Sequence, residues 1–389
     1  MRRGELIASL AALAVLLPVV ASSQTTSPEL AAKLTPAQRQ IYEDYRRARE
    51  AFEAKLRAYW ARVDAKRDAR RAKHMLVQPL SAEDYVAEQP PKYPGPELPA
   101  EIAKVLIEVL PPAPARPLPD VNDFLANAKA QYGFVPTPTT ELDFKRRYAR
   151  EALAVGLSKD QVLRVYALET GGQGTYDMQS GINPVTKQGR PISSALGYAQ
   201  LLNGNSVSEL VKHGASFAHR LVSMAAQPGT PPARAAGLRD KATIVRRMLR
   251  AARSVPNEWG AHVRFGGTPA GLGIHALNLD ADVGPWLQVL KLKGLKEAAE
   301  AAGRGQLSGA EIELMNLAGP RTGLEMMTPL GRTMPTANFF SEGGYYRNTI
   351  VREKTAAELL AALEQRMDVN LKKPGTVEFA QVFDELARR

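Results

Sequence analysis

The chain has 389 residues, 44% of them hydrophobic, and a net charge of +11. That length and composition exclude global disorder and allow one large domain or two smaller ones. The absence of cysteine excludes disulfides, thiol catalysis, cysteine metal sites and a lipid-modified N-terminal cysteine.

Residues 1–21 read as a signal peptide. Arg2 and Arg3 precede an apolar run from Leu6 to Leu17, and Pro18 is followed by the small residues Ala21, Ser22 and Ser23. This order predicts export and cleavage after Ala21. The run is short for a retained membrane anchor, so the expected location is periplasmic or secreted, with no lipobox. The positive balance predicts an anionic partner. For an exported chain that partner is cell-wall polymer or an anionic membrane surface rather than nucleic acid.

Residues 22–78 read as a basic amphipathic helical arm. Ile41, Tyr45, Ala48, Phe52, Leu56, Tyr59 and Val63 recur every three or four positions, forming one apolar stripe, and Arg and Lys crowd the other face. The stripe predicts packing on the chain's own body or a protein partner bound through this helix. Residues 79–119 read as a connector, because prolines crowd the stretch from Pro90 to Pro119 around one short apolar helix, "EIAKVLIEVL". From 120 to 389 the pattern is helical throughout. Ser158 with Gln161 forms a capping box that opens a helix running to Glu169. The runs beginning at Asp120, Ser206, Arg239, Gly284, Ser308, Thr355 and Val377 predict further helices. No alternating strand set appears, although residues 171–196 have room for a short hairpin. The fold class is mainly α, with a helical domain after the arm and the Pro-rich connector.

The sequence holds no nucleophile elbow, phosphate-binding loop, zinc helix or dinucleotide fingerprint. Its five histidines have no ligand spacing, so no metal and no cofactor is expected. Carboxylate chemistry remains. Glu169 ends a helix beside Tyr166 and Leu168 and precedes the run Gly171, Gly172, Gln173, Gly174. A carboxyl so placed is poorly solvated, which raises its pKa and suits it to donate a proton near neutral pH. The glycines allow unusual backbone angles and close approach of a sugar chain.

Four elements then fall in order: Glu169-Thr170, Asn183-Pro184, Gly197-Tyr198-Ala199-Gln200 and Asn316-Leu317-Ala318-Gly319-Pro320, with the acidic residue Glu342 and the pair Tyr345 and Tyr346 beyond them. The set resembles the lytic transglycosylases with a lysozyme-like domain, over roughly residues 120–350. In that family a helix ends in Glu-Ser, an Asn-Pro follows, a Gly-Leu-Met-Gln turn opens the next helix and an Asn-Ala-Gly-Pro comes later. Here Thr170 stands for the Ser. Residues 171–182 are an insertion, the turn reads Gly-Tyr-Ala-Gln, and the last motif carries an extra Leu.

The resemblance implies a lysozyme-like fold and peptidoglycan glycan strands as substrate. It implies Glu169 as a single acid and base that cleaves the MurNAc–GlcNAc bond and closes a 1,6-anhydro ring without water. Thr170, Gly197, Tyr198, Gln200, Asn316, Tyr345 and Tyr346 are the expected substrate-binding positions: the tyrosines offer ring faces, and Asn316 offers an amide to an acetamido group. Asp177, in the inserted loop, is the second acid if the enzyme is instead a hydrolytic muramidase. Glu209, Asp280, Asp282 and Glu325 are expected to be solvated or capping carboxylates. A non-catalytic wall-binding or assembly protein with a degenerate lysozyme-like domain is the third reading.

Overall fold

The computed structural model describes residues 28–111 and 117–388; the expected signal peptide, 1–21, lies outside them. The protein is mainly helical, with no strand among the described residues. No described helix is long and apolar enough to cross a membrane.

The described residues divide into two compact units: 28–61 with 90–111, and 62–89 with 117–388. In the first, α1 (Pro28–Lys33), the start of α2 (Pro36–Met75) and α3 (Ala100–Val109) enclose a small core of Leu30, Leu34 and Ile102. Tyr42, Leu98, Val105, Leu106 and Val109 cover that core, and Lys33 pairs with Glu108 at 2.7 Å. The proline-rich segment lies on the apolar stripe of α2. The Tyr93 ring meets Tyr45 and Phe52 at 6.3 and 5.4 Å, and the Arg49 guanidinium sits 4.6 Å above it. Ahead of α3, Pro90, Pro91, Pro94 and Pro96 deny the chain a helix, so residues 90–99 contribute side chains instead.

The second unit holds the end of α2 and thirteen further helices. They are α4 (Val121–Tyr132), α5 (Glu141–Ala154), α6 (Lys159–Thr170), α7 (Asn203–Ala225), α8 (Pro232–Ala252), α9 (Trp259–Gly266), α10 (Pro269–His275), α11 (Val283–Ala301), α12 (Gly309–Ala318), α13 (Pro320–Met326), α14 (Glu342–Arg347), α15 (Ala356–Asn370) and α16 (Pro374–Ala387). The runs read as helices from residue 120 onward all form helices. The expected hairpin region instead makes isolated antiparallel bridges, Gln179 with Leu196 and Ile182 with Gly189. Asn183 makes the turn between them, its side-chain oxygen accepting from Val185 N and Thr186 N at 2.9 Å.

The expected arm, 22–78, is not one unit. Residues 62–89 belong with the larger body, and Arg70 explains why. Its side chain is 2% exposed and bonds Glu325 at 2.7 Å, Asp84 O at 3.0 Å and Asn338 O at 2.6 Å. Its guanidinium also lies 4.5 Å from the Tyr85 ring centre. A buried charge persists only when every donor finds an acceptor, so this arginine pins the end of α2 to the 325–338 segment.

Candidate active site

Helix α6 begins on the capping box read from the sequence. Ser158 Oγ accepts from Gln161 N at 3.2 Å, and Gln161 Oε1 accepts from Ser158 N at 2.9 Å. The helix buries Val162, Leu163, Val165, Tyr166 and Ala167. It ends where Gly171 turns left-handed at φ 65°. Thr170 is 4% exposed and gives its hydroxyl proton back to Tyr166 O at 2.6 Å, so it closes the helix and faces no groove. Gly172 and Gly174 make room for the protein itself. A Cβ on Gly172 would lie 2.4 Å from Asn370 O, and one on Gly174 would lie 2.3 Å from Thr170 Cβ. Only Gly171 opens on free space.

The last turn of α6 leaves Glu169 half-buried against α12. Helix α12 opens on a second capping box, Ser308 with Glu311. It presents Glu313 and Asn316, three residues apart, on one face. Asn316 Nδ2 donates to Glu169 Oε1 at 3.1 Å and sits 3.4 and 3.5 Å from the two Glu313 oxygens. Glu313 is 2% exposed, and the one Asn316 amide nitrogen therefore brings its carboxyl beside that of Glu169. Burial raises Glu169 to about 7, against the hydrogen bonds from Glu313 and Asn316 and the positive charge of Arg366. Burial also raises Glu313 well above the carboxylate range, and the adjacent charge on Glu169 pushes it further. The positive charge of Lys291 opposes this rise, and burial lowers the Lys291 ammonium in turn.

Two adjacent carboxyls cannot both ionise in a poorly solvated site, so near neutrality the pair keeps at least one proton and Glu169 passes between its acid and base forms. Glu313 lies deeper, and Glu169 is the member within reach of solvent. The arrangement can donate and accept one proton at Glu169. Sequence reading found Glu169 and Asn316 and missed Glu313. The available signal was its place in "IELM", a carboxylate among apolar neighbours on a helix that already had Glu311 for its cap.

The other expected positions lie elsewhere. Tyr198 is 1% exposed and its ring packs against Phe144, Tyr148, Tyr166 and Phe379, so it offers no face to a sugar. Its hydroxyl is donated to Glu141. Burial raises the Glu141 carboxyl, while the bonds from Tyr198 and Tyr176 N hold it down. Gly197, at φ 79°, stands where a Cβ would strike the Gln288 amide, 2.4 Å away. Gln200 folds back on this turn, giving Nε2 to Gly197 O at 2.7 Å. Tyr345 is 2% exposed and its hydroxyl accepts from Glu353 N at 2.7 Å. Tyr346 meets Tyr345 edge to face at 5.2 Å. Asp177 is held by Lys187 at 3.1 Å and by Thr175 at 2.5 Å.

Of the carboxylates expected to be solvated or capping, Asp280 does cap, accepting from Asp282 N and Val283 N at the start of α11, but all four are buried rather than solvated. Glu209, Asp280, Asp282 and Glu325 have side-chain exposures of 3, 0, 0 and 9%, and each is ion-paired. Lys241 Nζ lies 2.7 Å from Asp280 and 2.6 Å from Asp282, which compensates their desolvation. His275 is buried between Ser206 Oγ at 2.8 Å and Ser194 O at 2.7 Å, and burial lowers it to about 4. Enclosed in this way it is a structural group. Among the described residues no cluster of three or more His, Asp or Glu side chains could hold a metal ion. A cleft of about 380 Å³ lined by Arg147, Arg220 and Trp286 does not include Glu169.

The fold and site define a mainly helical protein with a desolvated, proton-sharing carboxyl pair on facing helices. No family model matches the chain, and no curated protein and no solved structure shows significant similarity to it.

Proposed function

We propose that the protein is an exported peptidoglycan lytic transglycosylase with a lysozyme-like helical domain, in which Glu169 is the single acid and base. The observation that carries this reading is the Glu169–Glu313–Asn316 contact. Glycosidases that use two reacting carboxyls hold them about 5–5.5 Å apart for retention or 6.5–9.5 Å apart for inversion. Here one Asn316 amide nitrogen reaches both carboxyls, 3.1 Å from Glu169 and 3.4 Å from Glu313, so an amide rather than a sugar or a water lies between them. Such a pair favours chemistry through one carboxyl, with the second holding a proton behind it.

In this mechanism Glu169 donates its proton to the glycosidic oxygen of the MurNAc–GlcNAc bond as that bond breaks. The resulting carboxylate accepts the proton of the MurNAc C6 hydroxyl as its oxygen attacks the anomeric carbon, closing the 1,6-anhydro ring. Glu169 regains its proton and no water is consumed. Neutral Glu313 donates a hydrogen bond to the transient Glu169 carboxylate, and the Asn316 amide fixes its orientation. A value near 7 matches the demand for a group that is acid in one half-reaction and base in the next.

The test is the rate of peptidoglycan cleavage by two variants. Glu169→Gln keeps shape and hydrogen bonding without a transferable proton and should lose about 10²–10⁴ in rate. Glu313→Gln keeps a neutral donor beside Glu169 and should lose much less. Equal rates for Glu169→Gln and the parent chain would contradict the assignment.

A further inference from the structure

The cleft of about 380 Å³ falls within the larger unit, apart from Glu169, and its chemistry is cationic. Arg147, Arg150, Arg220, Ser223, Gln227 and Trp286 line it. Trp286 is 4% exposed and forms a rigid wall. The Arg220 guanidinium lies 4.1 Å from its ring centre and takes both oxygens of Glu151 at 2.7 Å. That ring contact and the one Nη2 shared by both Glu151 oxygens hold Arg220 in place while leaving its side chain 38% exposed.

Two anions, Glu151 and Asp282, also line the cleft, and both are already ion-paired. Asp282 carries Arg147 at 3.0 Å, Arg234 at 2.5 Å and Lys241 at 2.6 Å on one fully buried carboxylate. Asp280 is bonded by the same Lys241 and by Thr137 N, Asp282 N and Val283 N. Arg147 shares its partner with two other cations and keeps its side chain 40% exposed. Arg150 has no ion pair within 4.0 Å among the described residues, and it is exposed at the cleft. The lining holds the cations Arg147, Arg150 and Arg220 and the anions Glu151 and Asp282; with Arg234, Lys241 and Asp280 from the network joined to Asp282, the formal excess is two positive charges. A volume of this size suits a small molecule or one group of a larger one. Guanidinium forks match planar oxyanions two bonds at a time, and Ser223 and Gln227 add neutral hydrogen-bonding groups.

We infer that this cleft is a binding site for a dianionic oxyanion group, a phosphate monoester or a pair of carboxylates, seated against Trp286 between Arg147 and Arg150. The shared chemistry is two negative charges on oxygens that arginine can bind in bidentate fashion. The test is calorimetric titration of the full chain with inorganic phosphate, succinate and acetate at pH 7.5 and one fixed ionic strength. Saturable 1:1 binding of phosphate, of succinate or of both, with acetate at least tenfold weaker, is the expected result. Phosphate above succinate assigns a phosphate source, and the reverse order assigns a carboxylate source. Arg150→Gln removes a side chain with no internal ion pair, and Arg147→Gln leaves Asp282 with Arg234 and Lys241, so both should fold. Each should weaken dianion binding about tenfold, while Arg366→Gln, beside Glu169, should not change it. The inference is overturned if neither dianion saturates, if acetate binds as tightly as the dianions, or if Arg150→Gln and Arg147→Gln bind like the parent chain.

Discussion

The proton-sharing pair makes a claim about stability as well as chemistry. In the unfolded chain a glutamate titrates near its model value of 4.5, whereas folded Glu169 titrates at about 7. A folded-state pKa raised in this way means that the native state holds the proton more tightly than the unfolded state. The stabilisation is fully present below pH 4.5 and is lost as pH rises through 7. At about 1.4 kcal/mol per pKa unit, that difference is on the order of 3 kcal/mol. Glu313, raised by the same burial, adds to it with the same sign. The double variant Glu169→Gln with Glu313→Gln has neither proton to lose. Urea unfolding of both proteins at pH 4.5, 6 and 8 should show the parent losing roughly 3 kcal/mol or more relative to the variant as pH rises. Parallel pH profiles for the two proteins would refute the desolvated pair.

Glu325→Gln removes one charge from a pair whose Arg70 side is 2% exposed; stranding that guanidinium should cost roughly 3–5 kcal/mol in chemical unfolding. A deletion through residue 61 keeps this contact and should leave the helical signal of the larger unit intact, while one through residue 89 removes Arg70 and Tyr85 and should lower the midpoint of thermal unfolding. Gly172→Ala, at φ 73° with Asn370 O 2.4 Å from the new methyl carbon, should destabilise by about 1–3 kcal/mol. Gly171→Ala, with open space, should cost less, and equal losses would mean that backbone angle alone decides.

The elements that local chemistry controls were legible in the sequence. Ser158 and Gln161 announced the start of α6 and Gly171 its end, so Glu169 could be placed at a helix terminus before any packing was known. Glu313 was illegible for a physical reason. Its partner is far away in sequence, and only the packing of α12 on α6 brings the two carboxyls together. Tyr198 was expected to offer a ring face to sugar, because its Gly-Tyr-Ala-Gln run resembles a family turn motif. Four other aromatic rings enclose it instead, an outcome of tertiary packing that overrides local signals. Arg70 sits in the run "RVDAKRDARRAK", where nothing in its neighbours distinguishes the one arginine that is buried. The division of the arm at residue 61 was therefore hidden, although the amphipathic stripe of α2 was plain.

The most direct test of Glu169 as a single acid and base is mass analysis of the products from purified peptidoglycan. The account predicts muropeptides with 1,6-anhydro ends, each lighter by one water than its reducing counterpart, and none from Glu169→Gln. Reducing ends in their place, or release that survives Glu169→Gln, would contradict it.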